Sequence, residues 1–166
     1  MLDVLKRIHL SLGKDEEDYY RAIASSFMLS ADNAHAVHPN HPALSDMANG
    51  VYMNEGVVVK VHAEQKYTTD AVSMAVFKEL CQSADVPVQF FANRSDSVGG
   101  STLGNISATK VSMNAVDIGL PQLAMHSAYE TAGLKDTYYM MKVMERFFST
   151  NITEVECGVL SIEVCK

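Results

Sequence analysis

Chemically versatile side chains stand directly after short apolar runs in this sequence. Asp32 and His35 follow the run from Phe27 to Ala31, and His126 follows the run from Ala115 to Leu120. An aspartate and a histidine at a strand end can ligate a metal ion. An aspartate in that position is also, and more often, the cap of a turn or helix. The pattern alone leaves both interpretations open.

Three histidines, His35, His38 and His41, lie close together at the start of a long connection. The segment His38-Pro-Asn-His-Pro excludes regular structure, because two prolines and an asparagine interrupt it. We expect a solvated loop that runs to about Gly56. The spacing of the histidines fits no pair on one helix face, so it indicates a closed zinc site only weakly.

Lys60 interrupts the β-branched run from Val57 to Val61. Continuous runs are typical of strands covered on both faces, and lysine is almost never fully buried without a partner. Two interpretations follow: an edge strand with Lys60 in water, or a strand whose lysine points into a polar cavity and meets an anionic group. Tyr67 comes shortly afterwards, ahead of Thr68-Thr69-Asp70, a cluster typical of a helix start.

A glycine-rich segment follows the apolar run from Val88 to Ala92. Gly99, Gly100 and Gly104 surround a Ser-Thr pair, as in loops that bind a phosphate at a helix start. The lysine that a P-loop requires is missing, and the spacing is not that of a dinucleotide fingerprint. A tight turn from strand to helix is therefore the favoured interpretation.

Apolar runs and helical patterns alternate along the chain, which predicts an α/β fold with a mostly parallel sheet and flanking helices. The helical spacing predicts helices over Leu2 to Ser11, Asp15 to Ser25, Ala71 to Ser83, and from Gly133 to about Ser149. These elements must bring the polar strand ends together if the candidate residues share a site.

Two of these helices carry an apolar stripe, and that of the last helix is expected to belong to the core or to an interface. In helix 71–83 the stripe comprises Val72, Ala75, Val76 and Leu80. In the last helix it comprises Met140, Val143, Met144, Phe147 and Phe148. The tail from Val159 to Val164 alternates weakly and predicts either an edge strand or a disordered end.

Composition restricts the partners and the compartment. The 166 residues suit a single domain, and a formal net charge of -7 supplies no basic patch for nucleic acid or anionic membrane. No apolar run is long enough to span a bilayer. Cys81, Cys157 and Cys165 form no CxxC pair and fit a reducing compartment, so we expect a cytoplasmic protein that binds neither nucleic acid nor membrane.

Four blocks of this sequence resemble the aspartyl aminopeptidase family. They are SADNAHAVHPNHP from Ser30, KVHAEQKYTTDAVS from Lys60, NRSDSVGGSTLGNI from Asn93 and VDIGLPQLAMHSAYE from Val116. The blocks occur in the family's order, whereas residues 149–166 form an atypical tail. The resemblance implies the α/β fold of a zinc-aminopeptidase catalytic domain, two co-catalytic zinc ions, peptide substrates and assembly into large homo-oligomers.

The resemblance also implies roles for individual residues. Asp32 matches a ligand of one zinc ion, and His126 matches the ligand that completes the other. His35, Lys60 and Tyr67 match positions that contact the bound substrate. The function implied is zinc-dependent hydrolysis of N-terminal residues, possibly acidic ones, from peptides.

The family's other zinc ligands and its general-base glutamate have no counterpart in this sequence. Glu16-Glu17 is an adjacent pair but lacks the surrounding motif. We therefore expect residues 1–166 to be a single partial domain, the C-terminal part of a catalytic domain, with no catalytic residue of its own and no activity alone. Asp96 is expected to order the glycine loop. The alternative is a non-catalytic α/β fragment that serves assembly or binding.

Overall fold

The computed structural model describes residues 1–165. The helices of this region are α1 (Leu2–Ser11), α2 (Glu16–Ala24), α3 (Ala71–Ser83), α4 (Leu103–Ala108) and α5 (Leu134–Phe148). The strands are β1 (Phe27–Ala31), β2 (Ala34–His35), β3 (Val57–Val61), β4 (Val88–Ala92), β5 (Asn114–Gly119), β6 (Pro121–Leu123), β7 (Thr131–Ala132), β8 (Thr150–Glu156) and β9 (Val159–Val164). Short 3-10 turns at Pro42–Leu44 and Met47–Asn49 lie in the long loop before β3.

The central sheet has four strands in the order β1-β5-β3-β4. β1 runs parallel to β5, and β3 runs parallel to β4. The two halves meet in one antiparallel pair, where Val58 lies opposite Gly119 and Val59 lies opposite Ile118. The predicted α/β fold with a mostly parallel sheet is therefore confirmed, with this central antiparallel pair as the departure from it.

One face of the sheet carries the apolar core. Alternate strand residues, including Val57, Val59, Val116 and Ile118, point towards α3 and α5 and are fully buried. α3 is held in place at its start by a capping box, in which Asp70 and Ser73 bond each other's backbone N–H groups. The opposite face of the sheet, which carries the intervening residues, is left for the polar site.

The predicted apolar stripe of α3 needs correction. In α3 the buried face is Ser73, Val76, Phe77, Leu80 and Cys81, whereas Val72 is 51% exposed and Ala75 is also exposed. The capping box fixes Ser73 towards the sheet, and this rotates the buried face by about one residue from the predicted one. In α5, Val143 is fully buried and Met140, Met144 and Phe147 pack against the core, whereas Phe148, the last helical residue, is 82% exposed.

Of the two interpretations of the tail, the edge strand is confirmed, because Val159–Val164 forms β9 in a two-stranded sheet of its own. β9 pairs with β8 in a separate antiparallel hairpin, a partner strand that the sequence pattern did not predict. Ile152, Leu160 and Ile162 are partly buried and pack against the core. The hairpin thus covers apolar surface close to the end of α5.

In the part of the chain that the structure describes, every helix is too short or too polar to cross a membrane.

Candidate functional site

A cavity of about 440 Å³ lies over the polar face of the sheet. It is lined by every residue that the sequence marked as a site candidate, namely Asp32, His35, Lys60, Tyr67 and His126. Because β3 is antiparallel to β5, the ends of these strands point to opposite edges of the sheet. The cavity therefore extends across one face. Asp32 and His126 follow the parallel strands β1 and β5, whose carboxyl ends lie at the same edge, whereas Lys60 and Tyr67 come from the antiparallel half of the sheet.

Lys60 is the most buried charged side chain of the cavity, with 2% of its surface exposed. Its Nζ lies 3.5 Å from Asp32 Oδ2 and 3.3 Å from the carbonyl oxygen of Asn33. The edge-strand interpretation of Lys60 is wrong, because β3 is an inner strand flanked by β5 and β4. Burial lowers the pKa of Lys60, while the nearby carboxylates of Asp32 and Asp117 oppose that shift.

Tyr67 covers the lysine. Its ring centroid lies 5.1 Å from Lys60 Nζ, a distance suited to a cation–π contact. The phenol oxygen accepts a hydrogen bond of 3.2 Å from Asn93 Nδ2, so its own hydrogen stays available to donate. Burial is the main cause that raises the pKa of Tyr67, which keeps the phenol neutral and able to act as a donor.

Asp32 reaches the cavity because the chain crosses over β5 directly after β1. Its backbone N–H donates to the Ile118 carbonyl at 2.9 Å. A side chain at Gly119 would place a Cβ 2.0 Å from the Asp32 carbonyl oxygen, so this crossing requires glycine there. The Asp32 carboxylate remains 52% exposed and can bind a further group besides Lys60.

The two histidines of the cavity come from different loops. Burial lowers the pKa of His35 most, followed by the positive fields of His126 and Lys60, with Asp32 opposing them. The His35 imidazole is therefore neutral near pH 7 and can accept as well as donate. His126 has φ 67, in the left-handed region, and its backbone N–H donates to Glu130 Oε1 at 2.6 Å. Such backbone strain in a non-glycine residue is typical of functional loops.

Metal-binding capacity within this chain is small. Among residues 1–165, no group of three or more histidine, cysteine, aspartate or glutamate side chains could hold a metal ion. His38 and His41 line the cavity with ring centroids 5.2 Å apart, but they do not form such a group with His35. Asp32 and His126 each supply a zinc-type donor atom to the same cavity.

The glycine-rich segment forms the predicted turn from strand to helix. Thr102 is the N-cap residue of α4, and Gly104 packs against β1 and β5, where a Cβ would lie 2.5 Å from Ser30 Oγ. Within residues 1–165, no hydrogen bond joins the Asp96 side chain to the glycines. It pairs with Arg94, with Oδ1 2.8 Å from Nε.

Sequence reasoning missed one buried carboxylate of this region. Asp117 lies within β5, is 0% exposed, and accepts hydrogen bonds from Ser30 and Thr68. The available signal was a single acidic residue inside an apolar strand, the same kind of signal that drew attention to Lys60.

Comparison with known proteins gives a consistent result for most of the chain. The family model described as "Aminopeptidase I zinc metalloprotease (M18)" matches residues 1–148. A probable M18 family aminopeptidase 2 from Clostridium novyi is 51% identical over 149 residues, covering 90% of this chain and 34% of the relative. A second, from Clostridium acetobutylicum, is 50% identical over 89% of this chain and also 34% of its own length. The chain thus spans about a third of the curated relatives it matches.

Two solved structures are similar in fold to most of this chain. The structure described as the Ape4 and Nbr1 complex superposes with a TM-score of 0.84 at 41% identity, over 88% of this chain and 28% of that one. The structure of the S. cerevisiae mApe1 dodecamer gives a TM-score of 0.69 at 29% identity, over 78% of this chain and 28% of that one.

Proposed function

We infer that this chain, which belongs to the aminopeptidase I zinc metalloprotease family (M18), forms part of a zinc-dependent aminopeptidase that removes N-terminal residues from peptides. The observation that carries this proposal is one cavity lined by Asp32, His35, Lys60, Tyr67 and His126. The similarity to aminopeptidases favours this function over a non-catalytic fragment that serves assembly or binding.

The residues of this chain do not form a complete zinc site by themselves. A catalytic zinc typically takes three protein ligands and a water, and no such group exists among residues 1–165. We propose that Asp32 contributes one ligand to one ion and His126 one ligand to a second ion, with the remaining ligands and the general base supplied by other segments. On this ligand set the chain alone neither holds two zinc ions tightly nor cleaves peptides.

The proposed contribution of this chain to the reaction is binding and orientation of the substrate. Lys60 presents a buried ammonium that suits a carboxylate or a polarised carbonyl oxygen of the peptide, including an acidic first side chain. Tyr67 donates from a neutral phenol, and His35 donates or accepts from a neutral imidazole. Water exclusion at the buried Lys60 strengthens each of these interactions.

We also propose a homo-oligomeric assembly, as described for the S. cerevisiae mApe1 dodecamer. The large exposed apolar side chains Leu134, Tyr138 and Met141 on α5 are consistent with a surface that meets another chain.

A chimera tests the proposed function. This chain replaces the corresponding third of the Clostridium novyi relative, and the product is assayed for bound zinc and for hydrolysis of peptides with an acidic or a neutral N-terminal residue. We expect zinc binding and hydrolysis by the chimera and neither by the isolated chain. A zinc-loaded chimera that cleaves no N-terminal residue would contradict the proposal, as would tight binding of two ions with turnover by the isolated chain.

A further inference from the structure

Asp117 is a buried carboxylate without an ion pair in the described part of the chain. Its residue is 0% exposed, and no lysine, arginine or histidine nitrogen of residues 1–165 lies within salt-bridge distance. Hydrogen bonds hold it instead. Oδ1 accepts from Ser30 Oγ at 2.6 Å, while Oδ2 accepts from Thr68 N at 2.6 Å and from Thr68 Oγ1 at 2.9 Å. A buried carboxylate that accepts three such hydrogen bonds restrains the segments that carry the donors.

The donors on Oδ2 belong to the segment that delivers Tyr67. Thr68 follows Tyr67 directly, and the next residue, Thr69, accepts from the Asp117 backbone N–H at 3.0 Å. The other tethers of this segment are longer, at 3.2 Å for Lys66 Nζ to the Gly99 carbonyl and 3.2 Å for Asn93 to Tyr67. Asp117 is thus the tightest anchor of the segment between β3 and α3.

Sheet assembly does not require this anchor. β1 and β5 are already joined through five register pairs, one of which is Ser30 with Asp117. The bonds to Thr68 join no strands, since residues 62–70 form neither strand nor helix. The bonds to Thr68 instead restrain the distance between the Tyr67 ring and the Lys60 ammonium.

We propose that Asp117 is a positioning residue of the aminopeptidase reaction, one that holds the Tyr67–Thr68 segment against β5 so that the phenol stays over the Lys60 ammonium. This role rests on the proposed function for its effect on catalysis. The effect on Tyr67 itself rests on the geometry alone.

The first arm of the test uses the 166-residue chain and amide hydrogen exchange followed by NMR. Asp117→Asn keeps the shape but removes the negative charge, so its oxygen holds the two Thr68 donors more weakly than the carboxylate does. We expect the Thr68 amide to exchange about tenfold faster relative to the Phe77 amide of α3, because a hydrogen bond to a charged acceptor is replaced by a weaker bond to a neutral one. The Tyr67 ring resonances are expected to shift towards those of a free tyrosine.

Ser30→Ala is the matched control, because it removes a bond of equal length from the same carboxylate but leaves Thr68 in place. We expect its Thr68 exchange and Tyr67 resonances to match those of the unsubstituted chain. Equal changes in both variants, or none in Asp117→Asn, would overturn the proposal. If Asp117→Asn does not fold, Thr68→Val removes the 2.9 Å bond alone and is judged by the same Tyr67 resonances.

The second arm uses the chimera. Asp117→Asn is expected to raise KM about tenfold with zinc content and kcat nearly retained, in parallel with Tyr67→Phe. A loss of kcat and zinc together, with KM unchanged, would assign Asp117 a structural role instead. An unsubstituted chimera without peptidase activity would reject the proposed function, and the exchange arm would still decide whether Asp117 positions Tyr67.

Discussion

Lys60 Nζ lies 3.5 Å from Asp32 Oδ2, yet the lysine is almost completely buried while the aspartate carboxylate is half exposed. The pair is therefore asymmetric: the ammonium is largely shielded from bulk water at the floor of the cavity, whereas the carboxylate has room for another partner. This asymmetry fits a metal-ligand role for Asp32 beside a substrate-binding role for Lys60, and it leads to separable expectations for the two residues.

Replacing Lys60 by methionine keeps an unbranched side chain, shorter by one atom, and removes its charge. In the chimera we expect kcat/KM to fall by about 10- to 100-fold, because a hydrogen bond to a charged group contributes about 1.5–3 kcal/mol. Zinc content, measured by metal analysis, is expected to stay unchanged. Lys110→Met is the control, since that lysine is exposed and lies outside the cavity. Loss of metal with normal turnover per zinc would indicate a structural role for Lys60.

Asp32→Ala and His126→Ala are expected to lower the zinc content, which the Lys60 variant leaves unchanged. Each variant of the chimera should retain about one zinc ion per chain where the unsubstituted protein holds two, because each removes a ligand from a different ion. His41→Ala serves as the control for a cavity histidine outside the proposed ligand set. Unchanged zinc content in both variants would exclude these residues as ligands.

The fold itself can be tested with two phenylalanines. Phe77 in α3 is 0% exposed and Phe148 at the end of α5 is 82% exposed. Phe77→Ala is expected to lower the free energy of unfolding by about 3–5 kcal/mol through lost burial and cavity formation. Phe148→Ala should change it by no more than about 0.5 kcal/mol. Urea denaturation followed by circular dichroism measures both, and similar losses would contradict the orientation of the two helices.

Thiol reactivity should separate the three cysteines. Burial raises the pKa of Cys81 to about 12, whereas Cys157 and Cys165 are exposed. With a thiol reagent at pH 8 we expect fast reaction of the two exposed cysteines and reaction of Cys81 only after unfolding in urea. Fast modification of Cys81 in the Cys157→Ser, Cys165→Ser double variant would show that this core position opens readily.

The raised pKa of Cys81 also predicts a pH dependence of stability. Since the unfolded thiol loses its proton near pH 9 and the folded thiol keeps it until about pH 12, the unfolded state binds fewer protons across this window. The free energy of unfolding therefore falls as pH rises through this window, by about 1.0 kcal/mol from this group between pH 9 and pH 10. Cys81→Ala should lack this contribution to the fall of unfolding free energy with pH. An identical pH dependence in the two proteins would argue against a buried thiol.

Local patterns predicted much of the secondary structure. The helix Leu2–Ser11 and the strand Val88–Ala92 have the predicted bounds, because each depends on spacing within a few residues. The environment of Lys60 could not be decided from sequence, since it depends on which strands flank β3. The antiparallel pairing of β3 with β5 was missed for the same reason: strand direction is set by connections that cross the whole sheet.

Prediction of the site depended on two kinds of information. The resemblance to aminopeptidases singled out Asp32 and His126 as a set with Lys60, although strand ends alone supplied only candidates. Asp117 escaped because its donors, Ser30 and Thr68, are distant in sequence and meet it only when β1, β5 and the segment before α3 pack together. The metal roles of Asp32 and His126 and the substrate role of Lys60 remain predictions for the experiments above.

The antiparallel contact between β3 and β5 divides the sheet into two units, β1 with β5 and β3 with β4. Five register pairs join the strands within each unit, but two pairs join the units to each other. Asp32 belongs to the unit of β1 and β5, while Lys60 belongs to that of β3 and β4. A small sliding of one unit along the other would change the spacing between Asp32 and Lys60 while leaving each strand pair intact, so this seam sets the distance between the proposed metal ligand and the proposed substrate-binding lysine.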